Sequence, residues 1–98
     1  MRTLLKMQMD TEAGSKAIAD GSMSEMMQGM MERLKPEAAY FGPEDGLRTA
    51  FIIFDLEDPS QIPSIAEPLF RTVKAKVTFM PVMNLEDLQK GLQEIQPA

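Results

Sequence analysis

From Arg2 to Gln8 the chain alternates. Thr3, Leu5 and Met7 fall on one side of an extended backbone, with Met9 in step, and Leu4, Lys6 and Gln8 fall on the other. A period of two predicts a strand with two unlike faces. The run RTAFIIFDL, Arg48 to Leu56, does not follow that pattern. As a strand it places Thr49, Phe51, Ile53 and Asp55 on one face and Ala50, Ile52 and Phe54 on the other. Both faces are then apolar, and each needs a cover. Two weaker extended runs complete the set: EAAYFG from Glu37 and AKVTFMPV from Ala75.

Helical spacing fills the gaps between these runs. Asp10 or Thr11 can cap a helix beginning near Glu12, and Gly21 interrupts it. Ser22 and Glu25 have the S-x-x-E spacing of a capping box, which predicts a restart. Met23, Met26, Met27, Met30, Met31 and Leu34 follow at the spacing of one helical face, and Pro36 ends the segment. GPEDG, with Pro43 and Gly46, predicts a turn that makes a hairpin with RTAFIIFDL. Asp58 and Pro59 open the next helix, with Gln61 as its third residue. Pro63 and Pro68 predict that this helix is kinked or begins late. Ile65, Ala66, Leu69, Phe70 and Val73 form its apolar face. Asn84 caps a last helix, LEDLQKGLQEI, with Leu85, Leu88, Leu92 and Ile95 on one side.

The order is β-α-β-β-α-β plus a terminal helix. That is an α+β, ferredoxin-like arrangement, with four antiparallel strands in one sheet and helices on one face. Ninety-eight residues make a single domain, 1–98, with a thin core that gains from further burial. The second face of the sheet is open in this topology. The apolar central strand predicts that something closes it.

Composition narrows the chemistry. The net charge is −5 and the pI about 4.6, which disfavours nucleic acid and anionic membranes. The chain has no cysteine and no histidine. It therefore has no disulfide, no thiol nucleophile, and neither the commonest general base nor the commonest metal ligand. No apolar stretch approaches the roughly 20 residues that span a bilayer, and MRTLLKMQMD does not read as a signal peptide. These features together predict a soluble, cytoplasmic protein. Ala50 to Phe54 partly matches an RNA-recognition signature, but Thr49 and Arg48 stand where a stacking aromatic and a glycine belong. The match nevertheless assigns Thr49, Phe51, Ile53 and Asp55 to the open face. Ten methionines, several at M-x-x-M spacing, raise copper(I) as a ligand. Without Cys or His beside them, packing is the simpler reading.

LKPEAAYFGPEDGLRTAFIIFDLEDP followed by VTFMPVMNLEDLQKGL resembles small bacterial proteins of the dimeric α/β-barrel superfamily, in an uncharacterised branch. The resemblance spans nearly the whole chain. It implies a homodimer in which the open sheet face of each subunit closes against the other to form a barrel. It implies no catalytic residue, metal or cofactor.

The candidate pocket comprises Lys6, Gln8, Tyr40, Phe51, Asp55, Lys76 and Thr78, the residues expected on the open face. Strands 1 and 3 are neighbours in this topology, so Lys6 or Gln8 is expected to reach Asp55 and form an acid–base pair. Arg48, Glu44 and Asp45 are expected to be simply solvated. The leading expectation is a homodimer whose sheet-lined cavity binds a small organic molecule. One alternative is a cofactor-independent monooxygenase or isomerase using Lys6, Asp55 or Tyr40 for proton transfer. Another is a structural protein with a filled barrel.

Overall fold

The computed structural model describes residues 1–95, so the last three residues of the expected domain lie outside the described residues. Strands β1 (Arg2–Gln8), β2 (Ala38–Glu44), β3 (Leu47–Asp55) and β4 (Lys76–Pro81) form one antiparallel sheet in the order β2-β3-β1-β4. Helices α1 (Thr11–Asp20), α2 (Ser22–Leu34) and α3 (Ile62–Val73) accompany the sheet, and α4 (Leu85–Gln93) follows β4. This order fits a ferredoxin-like α+β fold.

Strand alternation sorts the sheet as expected. Thr3, Leu5 and Met7 of β1 and Ala50, Ile52 and Phe54 of β3 are buried beneath the helices. Leu69 and Val73 of α3 and Met30 of α2 pack on them. The methionine stripe of α2 behaves as packing. Met30 is buried, and Met23, Met26, Met27 and Met31 are partly buried against the same core.

Local chemistry explains the boundaries. Asp10 caps α1 by accepting from the Ala13 amide at 2.9 Å. Gly21 takes φ 83°, a left-handed conformation that glycine adopts at little cost, and this separates α1 from α2. The expected Ser22–Glu25 capping box does not form. The Ser22 hydroxyl donates instead to Asp20 at 2.6 Å, and α2 starts without a side-chain cap. The expected five-residue turn shortens to Asp45 and Gly46, with φ 54° and 75°. Both central residues have positive φ, as a tight type I′ hairpin requires. Pro43 therefore belongs to β2, an edge strand, where a missing N–H is tolerated.

The α3 helix does begin late. Asp58 and Gln61 form a reciprocal capping box around a single 3-10 turn, and the α-helix follows from Ile62. Pro68 lies inside it. A proline there removes the amide that would bond the carbonyl four residues earlier, that of Ser64. The Arg33 guanidinium of α2 donates to that carbonyl at 3.0 Å. A defect in one helix thus becomes a link to its neighbour.

The chain is extended for its size. Its radius of gyration is 15.8 Å and its longest dimension 57 Å. A compact domain of this length has a radius near 13 Å. Among the described residues no helix is long and apolar enough to cross a membrane.

Candidate functional site

Register fixes the open face rung by rung, because directly opposed residues in antiparallel strands share a face. One rung runs Ala38, Ile53, Leu4, Met80 and is wholly apolar. The next runs Tyr40, Phe51, Lys6, Thr78, and the one after it Gly42, Thr49, Gln8, Lys76. Six of the seven expected pocket residues therefore occupy two adjacent rungs across all four strands. Leu4, Phe51 and Ile53 are only half-buried, by their neighbours within the sheet. Tyr40 is 70% exposed at the β2 edge, and Lys76 and Thr78 are exposed on β4.

Asp55 does not join them. It stands opposite Arg2, whereas Lys6 stands opposite Phe51. Four residues of strand separate those rungs, about 13 Å. Gln8 lies one rung farther still. The expected Lys6–Asp55 and Gln8–Asp55 contacts do not form; Lys6 and Gln8 both turn the other way, toward Glu44. Asp55 instead accepts a hydrogen bond from the amino group of Met1.

The true partner of Lys6 is Glu44. The lysine ammonium donates to the Glu44 carboxylate, and Gln8 Nε2 approaches the Glu44 carbonyl at 3.4 Å. The ammonium also lies 6.0 Å from the centre of the Phe51 ring, within cation–π range. Geometry permits the diagonal reach because the rung between carries Gly42, where a Cβ would meet nothing within 4 Å. The Lys6 and Glu44 side chains are 29% and 35% exposed, so each is already partly withdrawn from water.

Glu44 is not simply solvated, as a five-residue turn predicts, but half-withdrawn and paired. The signal that places it was present in the Asp-Gly dipeptide. A two-residue turn at Asp45-Gly46 pairs Glu44 with Leu47 and, by alternation, puts Glu44 on the face of Gly42 and Tyr40. Arg48 is exposed, as expected. It lies on the helix side and donates to the Thr11 carbonyl and the Ser15 hydroxyl, each at 3.2 Å.

A second polar cluster closes the far end of β1. Arg2 donates to Glu37 at 2.7 Å and to Asp87 at 2.6 Å. The hydrogen bond to Glu37, then its charge, hold the guanidinium pKa above its ordinary value. Asp87 also completes a capping box with Asn84, so this cluster fastens the first turn of α4 to the sheet. Among the described residues no group of three or more acidic side chains is disposed to hold a metal ion.

No protein-family model matches this chain, and no curated protein matches it.

Proposed function

We propose that two copies of this chain pair through their open sheet faces and enclose a cavity that binds a small organic molecule. The observation that carries this reading is the rung Ala38–Ile53–Leu4–Met80 beside Phe51, an apolar band on a face that no helix of the described residues covers. Burying the still-exposed half of Phe51 and Ile53 would stabilise by about 1 kcal/mol each, half of what full burial from water gives. Total surface supports the same reading. The chain exposes 6777 Å², against about 5,600 Å² for a compact monomer of its mass. The difference exceeds the roughly 800 Å² that each partner contributes to a stable dimer.

The ligand would lay its apolar body on Leu4, Phe51 and Ile53. An acceptor group would face Lys6, Gln8 and Lys76 across the trough over Gly42. A second reading, proton transfer without a cofactor, is favoured by the Lys6–Glu44 pair, an acid and a base on the wall of the same space. It takes the place of the Lys6–Asp55 pair, which does not form.

Light scattering at micromolar concentration should give twice 11.0 kDa. A clean monomer there refutes the pairing. Phe51→Asp should leave a monomer or an unfolded chain, because it sets a charge in the seam. Gly42→Leu should fold, since nothing lies within 4 Å of the added Cβ. It should also abolish retention of any compound that co-purifies, read by mass spectrometry. Undiminished retention removes the cavity from this face.

A further inference from the structure

Helix α4 carries its apolar stripe on the outside. Leu85, Leu88 and Leu92 are 69%, 40% and 55% exposed, and Ile95, just past the end of the helix, is 65% exposed. Leucines at this spacing normally pack. Among the described residues the hydrogen bonds that tie the helix to the sheet come from its first turn, Asp87 to Arg2, while just before it the Val82 amide bonds the Arg2 carbonyl at 3.1 Å. These ties fix where the arm leaves the body, at the corner of the sheet where Pro81 pairs with Thr3.

The diagonally opposite corner carries an apolar cleft of about 490 Å³. Met9, Ile18, Met23, Met27, Phe41 and Arg48 line it, between α1, α2 and the β2 edge. Phe41 and Ile18 are 60% and 55% exposed. Methionine walls adapt to the leucine face of a helix, and a helix in such a groove presents anchors at this spacing. No residue of α4 lines the cleft of its own chain. Three strand spacings and nearly the length of β1 separate the two corners, roughly 20 Å, while α4 itself is only about 14 Å long and fastened at its near end.

We infer that α4 is an exchanged arm, its leucine stripe seated in the methionine cleft of a second copy, each copy receiving the arm of the other. A two-fold pair satisfies both unmatched apolar surfaces at once, because the same chain carries the donor and the acceptor. Sheet pairing takes about 800 Å² of the surplus of exposed area noted above, and the remaining few hundred Å² are open to such a contact. Arg48 suits the seat as well. Among the described residues no carboxylate lies in ion-pair contact with it, and the carbonyl end of a docked helix carries partial negative charge. This inference rests on the proposed dimer and adds to it the placement of the arms.

Because the chain lacks cysteine, single cysteines report that placement cleanly. Full-length chains bearing only Ile18→Cys and only Leu92→Cys are mixed, allowed to exchange, and treated with a short bis-maleimide. A linked Ile18→Cys/Leu92→Cys pair forming at least tenfold faster than either self-linked species is the expected result. Preferential Leu92→Cys self-linking, or no linked pair from a sample that scatters as a dimer, overturns the arm exchange and leaves the sheet pairing standing. Leu88→Asp with Leu92→Asp should raise the dimer dissociation constant at least 100-fold with an unchanged circular dichroism spectrum. Unchanged association overturns the inference. A wild-type chain that scatters as a monomer overturns both the exchange and the sheet pairing.

Discussion

The Lys6–Glu44 pair separates an open sheet from a closed one by energy alone. Lys6→Met and Glu44→Gln remove the two charges singly and together. In the single chain the side chains are 29% and 35% exposed, so each change should cost less than about 1 kcal/mol and the effects should nearly add. Closure by a second sheet withdraws the remaining solvent. Removing one partner then strands the other charge, and the cost rises to about 3–5 kcal/mol. The double change should recover most of it, because neither charge is left alone. Urea unfolding of all four proteins, at two concentrations a hundredfold apart, measures both features. Urea is preferred to guanidinium because it leaves the ion pair unscreened. For a dimer the midpoint rises with concentration, and the coupling energy should exceed about 2 kcal/mol at the higher one. Additive losses below about 1 kcal/mol at both concentrations would refute closure around this pair, and with it the acid–base reading of the site.

Other expectations follow from the same geometry. Pro68→Ala should stabilise by about 2–3 kcal/mol by restoring the helix bond to Ser64. Arg33→Ala should cost about 0.5–1.5 kcal/mol in the parent but distinctly less beside Pro68→Ala, since the carbonyl it serves is then occupied. Equal costs in both backgrounds would remove the compensation. Hydrogen bonds from Ser60 hold the Asp58 carboxyl below the usual aspartate range. Its contribution is therefore complete above the unfolded value and is lost as pH falls through the lower folded one. Asp58→Asn should flatten that loss below about pH 4 in thermal unfolding; an unaltered pH profile would contradict it. Met27→Leu keeps the volume of a partly buried packing residue and should cost under about 1.5 kcal/mol. Stoichiometric copper in the purified parent, absent from this variant, would overturn the packing role.

Much of this architecture is legible in the order of residues because it rests on local rules. Alternation in β1 and β3 assigns the buried Leu5, Met7, Ile52 and Phe54 and the open-face Lys6 and Phe51. A side chain's face depends only on counting along an extended backbone. The caps at Asp10, Asp58 and Asn84 depend on residues two or three positions away, and each forms. Ser22 is the exception. Asp20, two positions earlier, competes for its hydroxyl, and an exposed helix start has no packing to decide the contest.

What lies across strands was decided by the tertiary structure. Which side chains touch on one face depends on register, and register depends on the length of a turn that alternation does not report. A two-residue turn at Asp45-Gly46 brings Glu44 to Lys6, and the β1–β3 pairing carries Asp55 about 13 Å away to Arg2. The sequence by itself determined that α4 is amphipathic, because spacing within a helix is local. Only the folded chain decided that its leucines face outward, since that depends on where Arg2 pins the first turn and on which surfaces are already filled.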